Sequence, residues 1–341
     1  YFNTVTYTGN GASSHAITGV GHQPDWVWIK RRDGTVNHLL HDSIRGVTKL
    51  LVSNSAGAED TNTNILISFD SDGFTVGANS ASNVSSGSFV SWNWKAGTTI
   101  SSTSTSGSGT AKTYTGSVST TAGFSIIRYV GNQTAGHTIP HHLGAKPDAI
   151  LVKHLGDGQQ WATQWSPLGA TKVMRWASTN SVSDSNTRWN DTEPTTSVFT
   201  VGTEHETNTN DGNHIAYCFT SIKGYSKIGS YTGNANDNGT YSYTGFKPAW
   251  IMIKRTDASK NWYLIDNKRE TFNPNHETSI LFANSNNAEQ TLSDREVDFL
   301  SNGFKLRGSD GDVNASGGTY IYMAFAESPF VNSKGIPTNA R

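Results

Sequence analysis

Glu204-His205-Glu206 is the stretch of this sequence best equipped for acid–base chemistry, a carboxylate pair flanking an imidazole. Two carboxylates set about 5 to 10 Å apart can hydrolyse a glycosidic bond. Residues two apart on a strand share a face and lie roughly 7 Å apart, so both glutamates meet that requirement if the stretch is extended. Any Glu-x-Glu strand does the same, and an enzyme also needs a pocket that moves the carboxyl pKa values. His137, His141 and His142 form a second cluster, three imidazoles of the kind that hold a transition metal. Corresponding stretches of the chain carry no such cluster, His15 and His22 being the nearest counterparts, so these are read as surface-loop histidines without a metal. Asp70, Asp72 and Gly73 open like a calcium loop, but the further oxygen ligands and closing glutamate are not correctly spaced, and a hairpin turn accounts for them. Cys218, the single cysteine, forms no intramolecular disulfide and falls on the small-residue face of an alternating strand, where it reads as a buried filler rather than a nucleophile. No phosphate-binding glycine loop, nucleophile elbow or zinc spacing is present. The expectation is a protein that is not an enzyme and carries no cofactor.

The elements that must position these groups follow from repetition. Tyr7-Thr8-Gly9-Asn10 recurs as Tyr129-Val130-Gly131-Asn132 and as Tyr231-Thr232-Gly233-Asn234. Each tyrosine is followed 17 or 18 residues later by a proline and an apolar run that ends in lysine: Pro24 to Lys30, Pro147 to Lys153 and Pro248 to Lys254. Such recurrence marks tandem units. Lys30, Lys153 and Lys254 are expected to close a strand at its solvent edge. Asp25 and Asp148 become Ala249 in the third copy, which argues against a shared catalytic carboxylate. Both faces of the lysine-ended run are apolar, as Trp26 and Trp28 oppose Val27 and Ile29, so it is a central strand or has one face covered by a neighbouring copy or subunit. A closing strand alternates with period two through Val90, Trp92 and Trp94, then Ile215, Tyr217 and Phe219, then Ile321, Met323 and Phe325.

The expected fold is all-β: three tandem β-sandwich-like repeats with little helix. The boundaries are 1–97, 122–223 and 224–330, with a Ser/Thr/Gly-rich flexible linker at 98–121 and an extended tail at 331–341. Within the linker, Lys112 to Thr115 is allowed as an edge strand, and single helical turns are allowed for in 46–54 and 288–298. The composition agrees: only 34% of residues are hydrophobic, but 10 Trp, 14 Phe and 12 Tyr supply large apolar rings, and Gly, Ser, Thr and Asn fill the turns. A net charge of −1 draws the chain neither to nucleic acid nor to an anionic bilayer. No apolar run is long enough to span a membrane. The start at Tyr1, without an initiator methionine, is taken as a processed product or part of something longer.

The combination of Tyr-Thr-Gly-Asn, the lysine-ended strand, Phe69-Asp70-Ser71-Asp72-Gly73-Phe74, Trp92-Asn93-Trp94-Lys95-Ala96-Gly97 and the stretch Tyr322 to Phe330 resembles an uncharacterised repeat. That repeat occurs in predicted virion proteins of bacteriophages, many of them marine. The resemblance implies a virion structural protein, a tail fibre or surface appendage that serves assembly and host attachment, and it implies no catalytic residue. The partners it suggests are further copies of the chain (a trimer, by analogy with fibres), other virion proteins and a host surface glycan. Trp161, Trp165, Trp176, Trp189 and Trp262 lie in less periodic stretches and are the candidate contacts, either to sugar faces or to a neighbouring subunit. The alternative is a carbohydrate-binding module or glycan hydrolase, secreted or particle-attached, which requires a concave site with coplanar aromatics or convergent carboxylates.

Overall fold

The computed structural model describes residues 1–269, 278–327 and 329. The alternating and β-branched runs form strands throughout, and the described residues make an all-β body of antiparallel sheets, three large and three small. The first large sheet runs in the order Phe2–Thr8, Ser88–Trp94, Trp26–Arg31, Leu39–Asp42, Lys49–Val52 and Asp60–Thr61. The third follows the same path: Ser226–Thr232, Thr319–Ala326, Pro248–Arg255, Trp262–Asp266, Thr278–Phe282 and Gln290–Leu292. The second does so from Phe124–Val130 onward, through Asn213–Phe219, Ala149–His154, Ala162–Trp165, Lys172–Arg175 and Ser183–Asp184. In each, the lysine-ended strand lies between the closing strand and the next hairpin partner, a central position that buries it on both faces.

A small sheet covers one face of each large sheet. In the first pair it comprises His15–Ile17, Gly73–Val76 and Leu66–Asp70, and Phe74 and Val76 pack against Val27, Ile29 and Phe89. The other two pairs build equivalent local cores around Phe199 and Phe304. The opposite face of every large sheet enters one shared core. There Trp26, Trp28, Trp92 and Trp94 meet Trp161, Trp165, Trp176 and Tyr217 from the second pair and Trp250, Trp262 and Phe325 from the third. Trp26 stacks on Tyr217 with ring centroids 4.5 Å apart, Trp28 meets Trp176 edge-on at 5.0 Å, and Trp94 meets Trp250 at 5.7 Å. A buried ring removes about 150–250 Å² from water, worth roughly 4–6 kcal/mol at most on area bookkeeping. The aromatic centre thus explains how a chain poor in aliphatic residues is held together, and the cover for the tryptophan face comes from within the same chain.

Three expectations need correction. Residues 98–121 are not a flexible linker. Thr98–Ser104 and Thr113–Ser119 extend the second large sheet, and Ser106–Gly107 pairs with His137–Pro140 at the edge of the second small sheet. Strand Thr113–Ser119, which contains Tyr114 and Thr115, is flanked on both sides rather than placed at an edge. Ladder bonds come from the backbone, so small polar side chains suffice for strands that carry little of the core. Among the described residues the single-turn helices are Ser80–Asn83, Asn186–Trp189, His205–Asn208 and Gly311–Asn314, while 46–54 and 288–298 hold strands and turns instead. The expected tail, 331–341, lies outside the described residues.

Candidate functional site

The recurrent Tyr-x-Gly-Asn element is a clasp. Each tyrosine hydroxyl donates to a carbonyl at the end of a helical turn: Tyr7 to Ser82 at 2.8 Å, Tyr129 to Thr207 at 2.6 Å and Tyr231 to Val313 at 2.7 Å. The next residue of each turn is a fully buried asparagine, Asn83, Asn208 or Asn314. Its carboxamide oxygen accepts the backbone N–H of Asn10, Asn132 or Asn234 at 2.8–2.9 Å. Its nitrogen donates back to carbonyls beyond the motif, as Asn208 does to Thr134 and Gly202. The glycine is needed for close approach, because a Cβ at Gly131 would sit 2.4 Å from the Thr209 carbonyl oxygen. Sequence reasoning found the first half of this clasp and missed the asparagines. The available signal was a glycine four residues after each, Gly87, Gly212 and Gly318.

The lysines are buried rather than at a solvent edge. Lys30 Nζ donates to the carbonyls of Arg31 (2.7 Å), Gly34 (3.1 Å) and Asn286 (3.3 Å), and Lys254 Nζ to those of Arg255 (2.8 Å) and Thr179 (3.1 Å). Lys153 Nζ likewise donates to His154 and Asp157. Burial lowers their pKa values, to about 8 for Lys30 and Lys153 and about 7 for Lys254. They tie hairpin loops, and two of them bridge neighbouring sheet pairs.

Between sheet pairs the polar contacts also follow one scheme. Asp42 Oδ2 accepts Arg45 Nε at 2.5 Å and the Tyr217 hydroxyl at 2.7 Å. Asp266 Oδ2 accepts Arg269 Nε at 2.7 Å and Trp92 Nε1 at 3.0 Å. The position matching these aspartates in the second pair is Trp165, and that matching Trp92 and Tyr217 in the third is Met323. Where the donor is missing, so is the acceptor. Backbone bonds repeat the same circuit: Glu59 N to Leu155 O at 2.9 Å, Val182 N to Thr256 O at 2.8 Å and Glu289 N to Arg32 O at 2.7 Å.

The candidate contact residues are corrected by burial. Trp161, Trp165, Trp176, Trp189 and Trp262 are each no more than 1% exposed, so their rings meet protein of the same chain and no sugar can stack on them. Trp161 Nε1 donates to the Val52 carbonyl at 3.0 Å and Trp262 Nε1 to that of Arg175 at 3.3 Å, both across sheet pairs. The histidines have separate partners. His137 bonds Asn208 and Thr105, His141 bonds Thr195 and Leu143, and the exposed His142 bonds Tyr114. His137 and His141 are therefore not surface-loop residues, and burial lowers the His141 pKa to about 4. Among the described residues no three His, Cys, Asp or Glu side chains converge to hold a metal.

Glu204 and Glu206 do not share a strand. Glu204 is the N-cap residue of His205–Asn208, and Glu206 is buried with Arg188 and Arg175 on its two oxygens. Asp72 accepts the N–H groups of Gly19 and Gly21 and so ties its turn to a second loop, while Asp70 accepts the hydroxyls of Ser68 and Thr75 within its own hairpin. Asp25 and Asp148 hold Ser43 with Ala96, and Ser166 with Ser221. Cys218 is fully buried and its thiol is pushed up to about 12.

An open groove of about 460 Å³ lies between the first and second sheet pairs, lined by Glu59, Arg128, His154, Asp211 and Asn213 among others. Its polar side chains have partners within the chain, and Arg128 bonds Asn213 Oδ1 at 3.3 Å. Glu59 meets Arg45 and Lys49, Asp211 meets Lys112, and His154 meets Asp157. No curated protein and no solved structure matches the chain. A family model described as a domain of unknown function, DUF7483, matches residues 1–329, and the chain belongs to that family.

Proposed function

We propose that the chain is a structural component of a bacteriophage particle, a tail fibre or surface appendage that serves assembly and host attachment. The observation that carries this reading is where the reactive residue types go. Asp42, Asp266, Glu206, His137 and the three recurrent lysines are committed to clasps, loop ties and contacts between sheet pairs, and the thiol is packed in a local core, which leaves loops and sheet edges for contact. The sequence resemblance to phage virion repeats points the same way. On this reading the three sheet pairs are tandem repeats, the chain resides on the particle surface, and its partners are further copies, other virion proteins and a host surface glycan. Labelling of purified particles with antibody raised against the chain tests it. Decorated tails or appendages and blocked adsorption are expected; undecorated particles that adsorb normally in saturating antibody would refute it.

A further inference from the structure

Among the described residues four large apolar side chains are exposed: Tyr1, Ile67, Tyr241 (42%) and Tyr243 (63%). The two last share the strand Tyr241–Tyr243, at the edge of the third small sheet. They flank the buried Ser242, so both rings leave the same outward face, roughly 7 Å apart along the strand. Each ring lies by a glycine. A Cβ on Gly303 would come within 2.9 Å of the Tyr241 ring, and one on Gly245 within 3.5 Å of the Tyr243 hydroxyl. Backbone thus supports each ring from beneath. The Tyr241 hydroxyl donates to Asn302 Oδ1 at 2.7 Å, which fixes the ring, and Lys305, its cross-strand partner, reaches Asn238 at 2.5 Å.

The fold does not ask for these tyrosines. Aligned on the buried pairs Ile17–Phe74, Ile139–Phe199 and Ser242–Phe304, the same two positions hold Ala16 and Thr18 in the first pair and Thr138 and Pro140 in the second. We infer that Tyr241 and Tyr243 form a platform that binds linear saccharides, with the apolar faces of successive sugar rings stacked on the two tyrosines. Amide and ammonium groups at the rim, Asn302 and Lys305, take the hydroxyl edge, a division of labour that sugars require and a purely apolar partner does not. The inference rests on the host-attachment reading and moves the glycan contact from the buried tryptophans to this edge.

The test is retention of the purified full chain on immobilised oligosaccharides of three to six sugars with glucose, galactose, N-acetylglucosamine and rhamnose backbones. Retention on at least one is expected. Tyr241→Ala with Tyr243→Thr, the residues used at the equivalent positions of the first pair, is expected to lower it tenfold or more with an unchanged melting temperature. Retention on none, or equal retention by the double variant, overturns the inference. So does a concentration-dependent dimer lost in that variant without sugar retention, which would assign the edge to strand pairing between copies. Retention by a chain that never labels particles sinks the particle reading alone, and labelled particles without retention sink this one alone.

Discussion

The Tyr217 hydroxyl donates to Asp42 Oδ2 at 2.7 Å, a bond that joins the closing strand of the second sheet pair to the first. Asp42 also holds the buried guanidinium of Arg45. Removal of one partner from a buried pair leaves an uncompensated charge, so Asp42→Ala is expected to cost about 3–5 kcal/mol. Tyr217→Phe removes a single donor and should cost about 1–2 kcal/mol. Urea unfolding of both variants and the double variant measures this, and the two losses should be less than additive. A Tyr217→Phe loss as large in the Asp42→Ala background as in the native chain would contradict the contact.

The clasp asparagines carry more than their size suggests. Asn208→Ala strands the Asn132 N–H, the His137 Nδ1 and the Gly202 carbonyl at a buried site. A loss of about 2–4 kcal/mol is expected in chemical denaturation, since each unsatisfied buried group costs about 1–3 kcal/mol. Gly131→Ala should be comparably harmful, because the Thr209 carbonyl must move. Wild-type stability in either variant would show the motif to be incidental.

Much of this was legible beforehand. The period-two strands, the lysine-ended central strand and the Tyr-x-Gly-Asn recurrences all follow from side-chain alternation and spacing, and each falls on matching strand paths. Which surface would cover Trp26 and Trp28 was not legible, because alternation marks a face as apolar without naming its partner. The strand Thr98–Ser104 looked like linker because its small polar residues satisfy a ladder without filling a core. Trp161 and Trp262 looked available because they lie in less periodic stretches and their indole donors bond across sheet pairs, a relationship with no local signature. Glu206 counts in the sequence only as half of a Glu-x-Glu pair, because its partners Arg188 and Arg175 lie 18 and 31 residues earlier and leave no local signature.

Acid should destabilise the fold. Burial holds the pKa values of His41 and His214 down at about 3 and that of His141 at about 4. An unfolded chain protonates its imidazoles below about 6.5. The stability that these groups contribute is complete above that value and is lost as pH falls toward the folded pKa values, at about 1.4 kcal/mol per unit per histidine. The melting temperature should therefore fall between pH 6.5 and 4, with a shallower slope in His41→Gln. An unchanged slope in that variant would place the acid sensitivity elsewhere.

Cys218 should be chemically silent in the native chain. It is fully buried between Ser125 and Ile150 in the ladder, and its thiol is pushed up to about 12. An aromatic disulfide reagent at pH 8 is expected to label less than about a tenth of the thiol in hours and all of it within minutes in denaturant. Rapid labelling of native protein would contradict the packing.

The three sheet pairs close around a common tryptophan core, so they should unfold as one body in scanning calorimetry. One transition is predicted, with calorimetric and van't Hoff enthalpies in agreement, and Trp26→Ala should lower the whole of it. Three separable transitions, or a Trp26→Ala effect confined to one of them, would contradict the account.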